Sequence, residues 1–301
     1  MIKVTLIGTG GTIPQKNRWL SSCMLTVNGR SVLIDCGEGT QIALKICGLK
    51  CKPIETICIT HFHADHISGL PGLLLTMSND GRTEPVTIFG PRGLSHIVRS
   101  LCVIAPSLTF DVRCVEYSDT NKIFSAAGME VTPFPVKHGV PCIGYSFVLK
   151  RAGKFLPEKA KENNVPMKIW SLLQKGGSIE LEGRLYTPDM VLGEERKGLK
   201  VTYTTDTRPA ESIIRHAQGS DLFICEGMFG DPEKLPRAKE AGHMMYSEAA
   251  SIASKAGVSK MWLTHYSPSV DNPEEFLSAA TGVFPYTECG FDGKSEELDF
   301  V

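Results

Sequence analysis

Short β-branched and apolar runs alternate along the chain with stretches whose apolar residues recur at helical spacing. Strands are predicted at 2–7, 23–27, 31–35, 55–60, 85–89, 130–136, 143–149, 200–205, 221–225 and 259–264. A helix is predicted over 92–104, where Leu94, Ile97, Val98, Leu101 and Ile104 share one face. Another is predicted from Ser247 as N-cap through Lys255, with Gly257 as its stop. Strands and helices in alternation predict an α/β fold. With no internal repeat, low-complexity segment or Pro/Gly/Ser-rich linker, a single domain over residues 1–301 is expected.

The 301 residues, 42% of them hydrophobic, suffice for a large core without disulfides or a structural metal. No run of about 18 uncharged apolar residues occurs, so no membrane span is expected. The first strand opens at Ile2 without the pattern of a signal peptide, and a cytoplasmic protein is expected. The ten cysteines form no Cys-x-x-Cys, and Cys36, Cys58, Cys102 and Cys225 lie in apolar runs. Reduced thiols are therefore expected.

A net charge of −1 excludes whole-molecule attraction to nucleic acid, so such a partner needs a local basic patch. One exists at 150–175, where Lys150, Arg151, Lys154, Lys159, Lys161, Lys168 and Lys175 face only Glu158 and Glu162 (7 − 2 = +5). This segment is expected to form an insertion or arm at about 150–195. Taken alone, such a charge run is a solvated face.

The chemistry concentrates in Thr60-His61-Phe62-His63-Ala64-Asp65-His66, at the end of a predicted strand. His61 and His63 stand two apart, so an extended backbone projects them to one side. Imidazole and carboxylate are the ligand types that suit zinc and related divalent metals. Further candidates each follow a strand-like run: His138 after 131–137, Asp206 after 201–205 and His265 after 260–264. Asp35 and Glu226 occupy the same kind of position. Ligands at successive strand ends converge on one edge of a sheet, where α/β proteins build their sites. Gly8-Thr9-Gly10-Gly11 fails the dinucleotide fingerprint, because Ile13 stands where glycine is required. It is expected to be a turn on the rim of the site, offering backbone N–H groups to a phosphate. His96 and His216 are expected to be structural.

These residues resemble the metallo-β-lactamase fold metallohydrolases, and within them the ribonuclease Z family, over essentially the whole chain. The resemblance rests on Gly8-Thr9-Gly10-Gly11, Ile34-Asp35-Cys36-Gly37-Glu38-Gly39-Thr40-Gln41 and His61–His66 continuing into Gly69-Leu70-Pro71-Gly72-Leu73-Leu74. Asp206-Thr207-Arg208-Pro209 and Leu263-Thr264-His265-Tyr266-Ser267 complete it. It implies an αβ/βα four-layer sandwich and a homodimeric endoribonuclease that removes 3′ trailers from precursor tRNA. It also implies two zinc ions per subunit, with manganese or magnesium as substitutes. His61, His63 and His138 would hold one ion, and Asp65, His66 and His265 the other. Asp206 would bridge them, and Asp35 would orient a ligand from behind. Asp65 would accept a proton from the attacking water, and a Glu226–His243 pair would protonate the leaving oxygen.

Without the resemblance, Glu226 reads as a cap or ion pair and His243 as a surface histidine. The resemblance also implies that the arm, with Lys154, Lys159, Lys161 and Lys168 as substrate contacts, would grip transfer RNA; Trp170 would pack it or stack on a base. The chain departs from the family pattern at Val165–Leu173, where a Gly-Pro-rich segment is usual, and at Thr205 and Cys225. Three alternatives remain: a phosphodiesterase of the same fold acting on small or cyclic diesters, a di-iron redox protein, and a non-enzymatic RNA-binding module. His63, where the redox proteins typically carry glutamate, disfavours the second, and the complete His/Asp set disfavours the third.

Overall fold

The computed structural model describes residues 1–117 and 123–300. Strands β1 (Ile2–Gly8), β2 (Ser22–Val27), β3 (Arg30–Ile34), β4 (Ile54–Cys58), β5 (Val86–Pro91) and β6 (Val112–Tyr117) come first. They are followed by β7 (Phe124–Ala126), β8 (Met129–Pro135) and β9 (Ile143–Arg151), then by a small hairpin of β10 (Ile179–Leu181) and β11 (Arg184–Tyr186). Last come β12 (Arg196–Tyr203), β13 (Leu222–Glu226), β14 (Met261–Thr264), β15 (Thr287–Cys289) and β16 (Ser295–Leu298). Two seven-stranded sheets result, ordered β16-β1-β2-β3-β4-β5-β6 and β15-β14-β13-β12-β9-β8-β7.

Strands β3 through β6 run parallel in one sheet and β12 through β15 in the other. The inner ones, buried on both faces, carry continuous apolar runs: all five residues of β13 and all four of β14 are buried, whereas the edge strand β6 is buried only at Tyr117. Outward side chains such as Leu33, Ile57 and Ile88 meet Leu73, Leu74, Met77, Leu94 and Val98 of the covering helices. Across the molecule, Phe223, Cys225, Met261 and Leu263 meet Ile213, Ala249, Ile252, Ala253 and Ala280. Each fully buried Leu, Ile or Phe contributes about 1.5–3 kcal/mol. Between the sheets, Tyr145 of β9 donates to the Ile59 carbonyl just beyond β4 at 2.6 Å, and Phe89 stacks on Phe124. Four layers follow, helices outside and sheets inside.

The chain clusters into two compact units. One is Met1–Val148 with Lys200–Asp299, which holds the sandwich, and the other is Leu149–Leu199 with Phe300. The second has its own small core of Ala160, Val165, Ile169, Leu173, Tyr186, Val191 and Leu192. Trp170 packs there on Phe155 and donates to the Val165 carbonyl at 2.9 Å, so it is a packing residue.

All ten expected strands are present. Six were not expected: β6, β7, β10, β11, β15 and β16. They are short or polar: β7, β10 and β11 are three-residue strands of local hairpins, whereas β16 depends on distant β1. The 92–104 helix ends at Leu101 and tightens into a 3-10 turn that leaves Ile104 exposed. Pro106 disfavours helical backbone at Ala105. The last predicted helix starts at Tyr246 rather than after Ser247, because Glu248 reaches back to accept the Met245 N–H at 3.0 Å. All ten cysteines are free.

Two loops at the C-terminal edge of β3 and β4 interlock. Cys36 N–H donates to the His66 carbonyl at 2.8 Å, and Gly69 N–H to the Cys36 carbonyl at 2.9 Å. A Cβ on Gly69 would lie 2.0 Å from the Gly37 carbonyl oxygen, backbone that has nowhere to go. Gly69→Ala is therefore expected to destabilise the fold by about 1–3 kcal/mol. Urea unfolding checks this, and an unshifted midpoint would refute so tight an approach.

Candidate metal centre

Six strand ends deliver the site. Asp35 follows β3, His61 follows β4, His138 follows β8, Asp206 follows β12, Glu226 ends β13 and His265 follows β14. His63, Asp65 and His66 arrive on the turn and short helix Ala64–Ile67. The structure gathers His61, His63, His138 and Asp206 into one ligand group, and Asp65, His66 and His265 into another. Asp206 faces both. Its Oδ1 lies 3.0 Å from His265 Nε2 and 3.3 Å from His66 Nε2, and its Oδ2 lies 3.5 Å from His61 Nε2 and 3.8 Å from His138 Nε2.

Neighbouring acceptors fix which imidazole nitrogens face inward. Buried Asp35 accepts from the Thr60 N–H at 2.8 Å, the Thr60 hydroxyl at 2.9 Å and His66 Nδ1 at 2.8 Å. Since Thr60 gives its proton to Asp35, its oxygen receives the Nδ1 proton of His61 at 3.0 Å. His138 Nδ1 donates to the Gly242 carbonyl at 3.3 Å. His61 and His138 thus present bare Nε2 lone pairs to the cluster, and both face the one Nδ1 of His63, at 3.0 and 3.3 Å. Bare nitrogens and a carboxylate oxygen converging in a largely buried pocket suit a cation, and the N/O donor set fits a divalent metal such as zinc.

The field of the pocket agrees. Burial would lower His265, yet Asp206 pushes it up to about 10, and Asp206 with Asp35 likewise holds His66 above the usual imidazole value. Burial, reinforced by His66, drives His61 down to about 2. Burial opposes ionisation of Asp206, but His265 and His66 outweigh it and hold the carboxyl well below its usual range.

Glu226 and His243 are both buried, so neither is a surface group. Both Glu226 oxygens lie 3.2 Å from His243 Nδ1, and they also accept the Thr207 and Met244 N–H groups. Burial works against charge on His243, but Glu226 more than offsets it and raises the imidazole above its ordinary value. His243 Nε2 is left facing the cluster, 3.9 Å from Asp206 Oδ2. A cleft of about 680 Å³ opens over these groups, lined by His63, Asp65, His138, Asp206 and His243 and by Thr12, Ile13, Phe229, Arg237 and Ser269.

Sequence reasoning missed several residues that hold the site in shape. Arg208 donates to the His243 carbonyl at 2.5 Å and to both oxygens of Glu248, while its own N–H bonds the Lys137 carbonyl. It ties the loop of His138 to the loop of His243. Asp292 accepts the Thr9 N–H and hydroxyl and the Trp19 N–H, fixing the glycine turn. Nothing in the local sequence marks Asp292.

The cleft is lined by Thr12 and Ile13, just past the glycine turn, and not by Gly8–Gly11, and the amides here are not offered to a phosphate. Gly10 N–H bonds Trp19, Gly11 N–H bonds Tyr266, Thr12 N–H bonds Asp65 Oδ2 at 2.6 Å, and Ile13 N–H bonds Gly11. Gly11 is required for another reason: a Cβ there would stand 2.6 Å from the His265 ring. His216 is structural, stacked on Phe134, and His96 is exposed on its helix. Of the arm's candidate contacts, Lys154, Lys161 and Lys168 are exposed, whereas Lys159 spends its ammonium on the Leu192 carbonyl at 2.7 Å.

Residues 2–155 match the sequence profile of the Anti-Pycsar protein Apyc1 family, and residues 189–266 that of the beta-lactamase superfamily domain. Curated relatives include ribonuclease Z of Agathobacter rectalis, 53% identical over 100% of this chain and 99% of that protein. Ribonuclease Z of Lachnoclostridium phytofermentans is 51% identical with the same coverage. Among solved structures, the short form of human tRNase Z superposes with a TM-score of 0.71 at 24% identity, covering 99% of this chain and 100% of that one. A metallo-beta-lactamase fold protein of Bacillus subtilis gives 0.71 at 20% identity, with the same coverage. The four-layer sandwich is the metallo-β-lactamase fold.

Asp35→Ala leaves His66 Nδ1 and Thr60 without their shared acceptor. Divalent-metal affinity is expected to fall about 10- to 100-fold. Competition against a chromogenic chelator checks this, and wild-type affinity would show that Asp35 does not orient the ligands.

Proposed function

The chain belongs to the ribonuclease Z family, and from that premise we propose that its metal centre hydrolyses the phosphodiester joining a transfer RNA to its 3′ trailer. It is a metal-dependent endoribonuclease of transfer RNA 3′ processing. The observation that carries the chemistry is Asp206, whose two oxygens face the two ligand triads beneath the cleft that His243 also lines. The metals are two zinc ions per subunit in this reading, with manganese or magnesium as substitutes. His61, His63 and His138 would hold one, Asp65, His66 and His265 would hold the other, and Asp206 would serve both.

Metal bound there would supply an acidified water and positive charge beside the phosphoryl oxygens. The chain's own groups supply the protons. Asp65, held at Oδ2 by the Thr12 amide, takes a proton from the attacking water. As the bond from phosphorus to the ribose 3′-oxygen breaks, that oxygen receives a proton from His243 Nε2. Glu226 stabilises the imidazolium until then. The transfer RNA leaves with a 3′-hydroxyl and the trailer keeps the phosphate.

The second unit carries ten Lys or Arg against seven Asp or Glu over residues 149–199 (10 − 7 = +3). In this reading Lys154, Lys161 and Lys168 contact phosphates of the transfer RNA body, with affinity that falls as salt rises. Lys159 serves the arm's own packing. The enzyme works as a homodimer in the cytoplasm. No helix among the described residues is long and apolar enough to cross a membrane. The same cleft also suits a second reading, hydrolysis of small or cyclic phosphodiesters.

A precursor transfer RNA bearing a trailer separates the two readings. One chelator-sensitive cut after the discriminator base is expected, and Asp206→Ala is expected to lose metal at both triads and cleavage with it. Metal-loaded enzyme that hydrolyses a small diester but leaves the precursor intact would favour the second reading. His243→Ala is expected to lower kcat about 10²- to 10⁴-fold with little change in metal content. Unaltered kcat would remove His243 from the proton path.

A further inference from the structure

The cleft does not end at the metal centre. Across Phe229 and Ser269, which line both, it adjoins a smaller hollow of about 160 Å³ floored by Phe229, Gly230, Val270 and Phe276. One short segment borders both spaces: the turn Pro232–Lys234 and the helix Leu235–Ala241 that runs on from it. Arg237 of this segment lines the cleft and Lys234 lines the hollow. Both are exposed, and neither makes a hydrogen bond or ion pair with another described side chain. Arg237 is the one lysine or arginine among the residues lining the cleft. The carboxylate in the hollow, Asp231, spends Oδ1 on the Glu233 N–H.

Residues three apart on a helical turn lie side by side, with Cβ atoms about 5–6 Å from each other. That is close to the separation of consecutive phosphates along an extended strand. A guanidinium clasps a phosphate through paired N–H groups, and an ammonium meets one as a point charge. Phe229 and Phe276 border the hollow, and a space of about 160 Å³ has room for a single base rather than a duplex.

The geometry points to a phosphate rail for the single-stranded trailer: Arg237 binds the backbone phosphate next to the scissile one, and Lys234 binds the phosphate beyond it. The occupant is the trailer because it is the strand that continues unpaired past the cut. This rests on the transfer RNA reading of the cleft and adds to it a second anchoring point, on the opposite side of the cut from the RNA body.

The test compares wild type, the double variant Lys234→Gln/Arg237→Gln and the charge-preserving Lys234→Arg/Arg237→Lys. Substrates are precursor transfer RNAs with a trailer of one nucleotide and with a longer unstructured trailer. For the longer trailer, the Gln variant is expected to lose about tenfold in kcat/KM at low salt. Its log–log salt dependence should flatten by about 1.4, two contacts at about 0.7 each. The one-nucleotide substrate, which lacks the outer phosphates, should show far smaller losses, and the charge-preserving variant should recover most of the activity. Equal losses on both substrates, or an unchanged salt slope, would overturn the rail. If wild type cuts neither precursor, the transfer RNA reading itself fails.

Discussion

A fully buried carboxylate is costly unless every lone pair has a partner, and Asp35 is buried completely. Its partners are the Thr60 amide, the Thr60 hydroxyl and His66. Meeting that demand draws the end of β3 to the end of β4 and to the short helix of the metal motif at once. It also decides, through Thr60, which nitrogen of His61 faces the cluster. The loop interlock of Cys36 and Gly69 rests on the same juncture. One buried charge thereby converts a stack of strand ends into ligands with assigned lone pairs.

The second organising charge, Asp206, works in the opposite sense. Asp35 is satisfied by protein donors away from the cleft, whereas Asp206 accepts from the Thr205 hydroxyl and otherwise faces the imidazoles of the cluster. Its hold on His66 and His265 shows a pocket built to attract positive charge. Glu226 repeats the theme one layer out, anchored by two backbone amides so that its remaining interaction goes to His243.

The metal motif was readable because its ligands are crowded into six positions and their distant partners each follow an apolar run. Covalent proximity and strand periodicity are both written locally. The same signals recovered the inner strands, which are apolar on both faces. What escaped was either a three-residue hairpin strand, such as β10 and β11, or was held by distant partners. β16 is polar, and only β1 makes it a strand. Asp292, Arg208 and the shape of the glycine turn depend on contacts across most of the chain. The expected amide nest failed for this reason, since its N–H groups are claimed by Trp19, Tyr266 and Asp65. Glu226 and His243 took their roles from family resemblance, because seventeen residues of sequence conceal a contact that only the packed helices create.

The pairing of β1 with β16, Ile2 opposite Leu298, has a consequence for the enzyme's birth. Thr12 steadies Asp65 from a turn whose shape depends on Asp292, and His265 enters between them. A ribosome delivers Thr12 and the histidine motif early, and His265 and Asp292 at least 200 residues after Asp65. A nascent chain therefore carries most of its ligands long before it can hold them in register. A chain still short of His265 and Asp292 lacks part of the ligand set and its support, so competence to cut RNA waits for both.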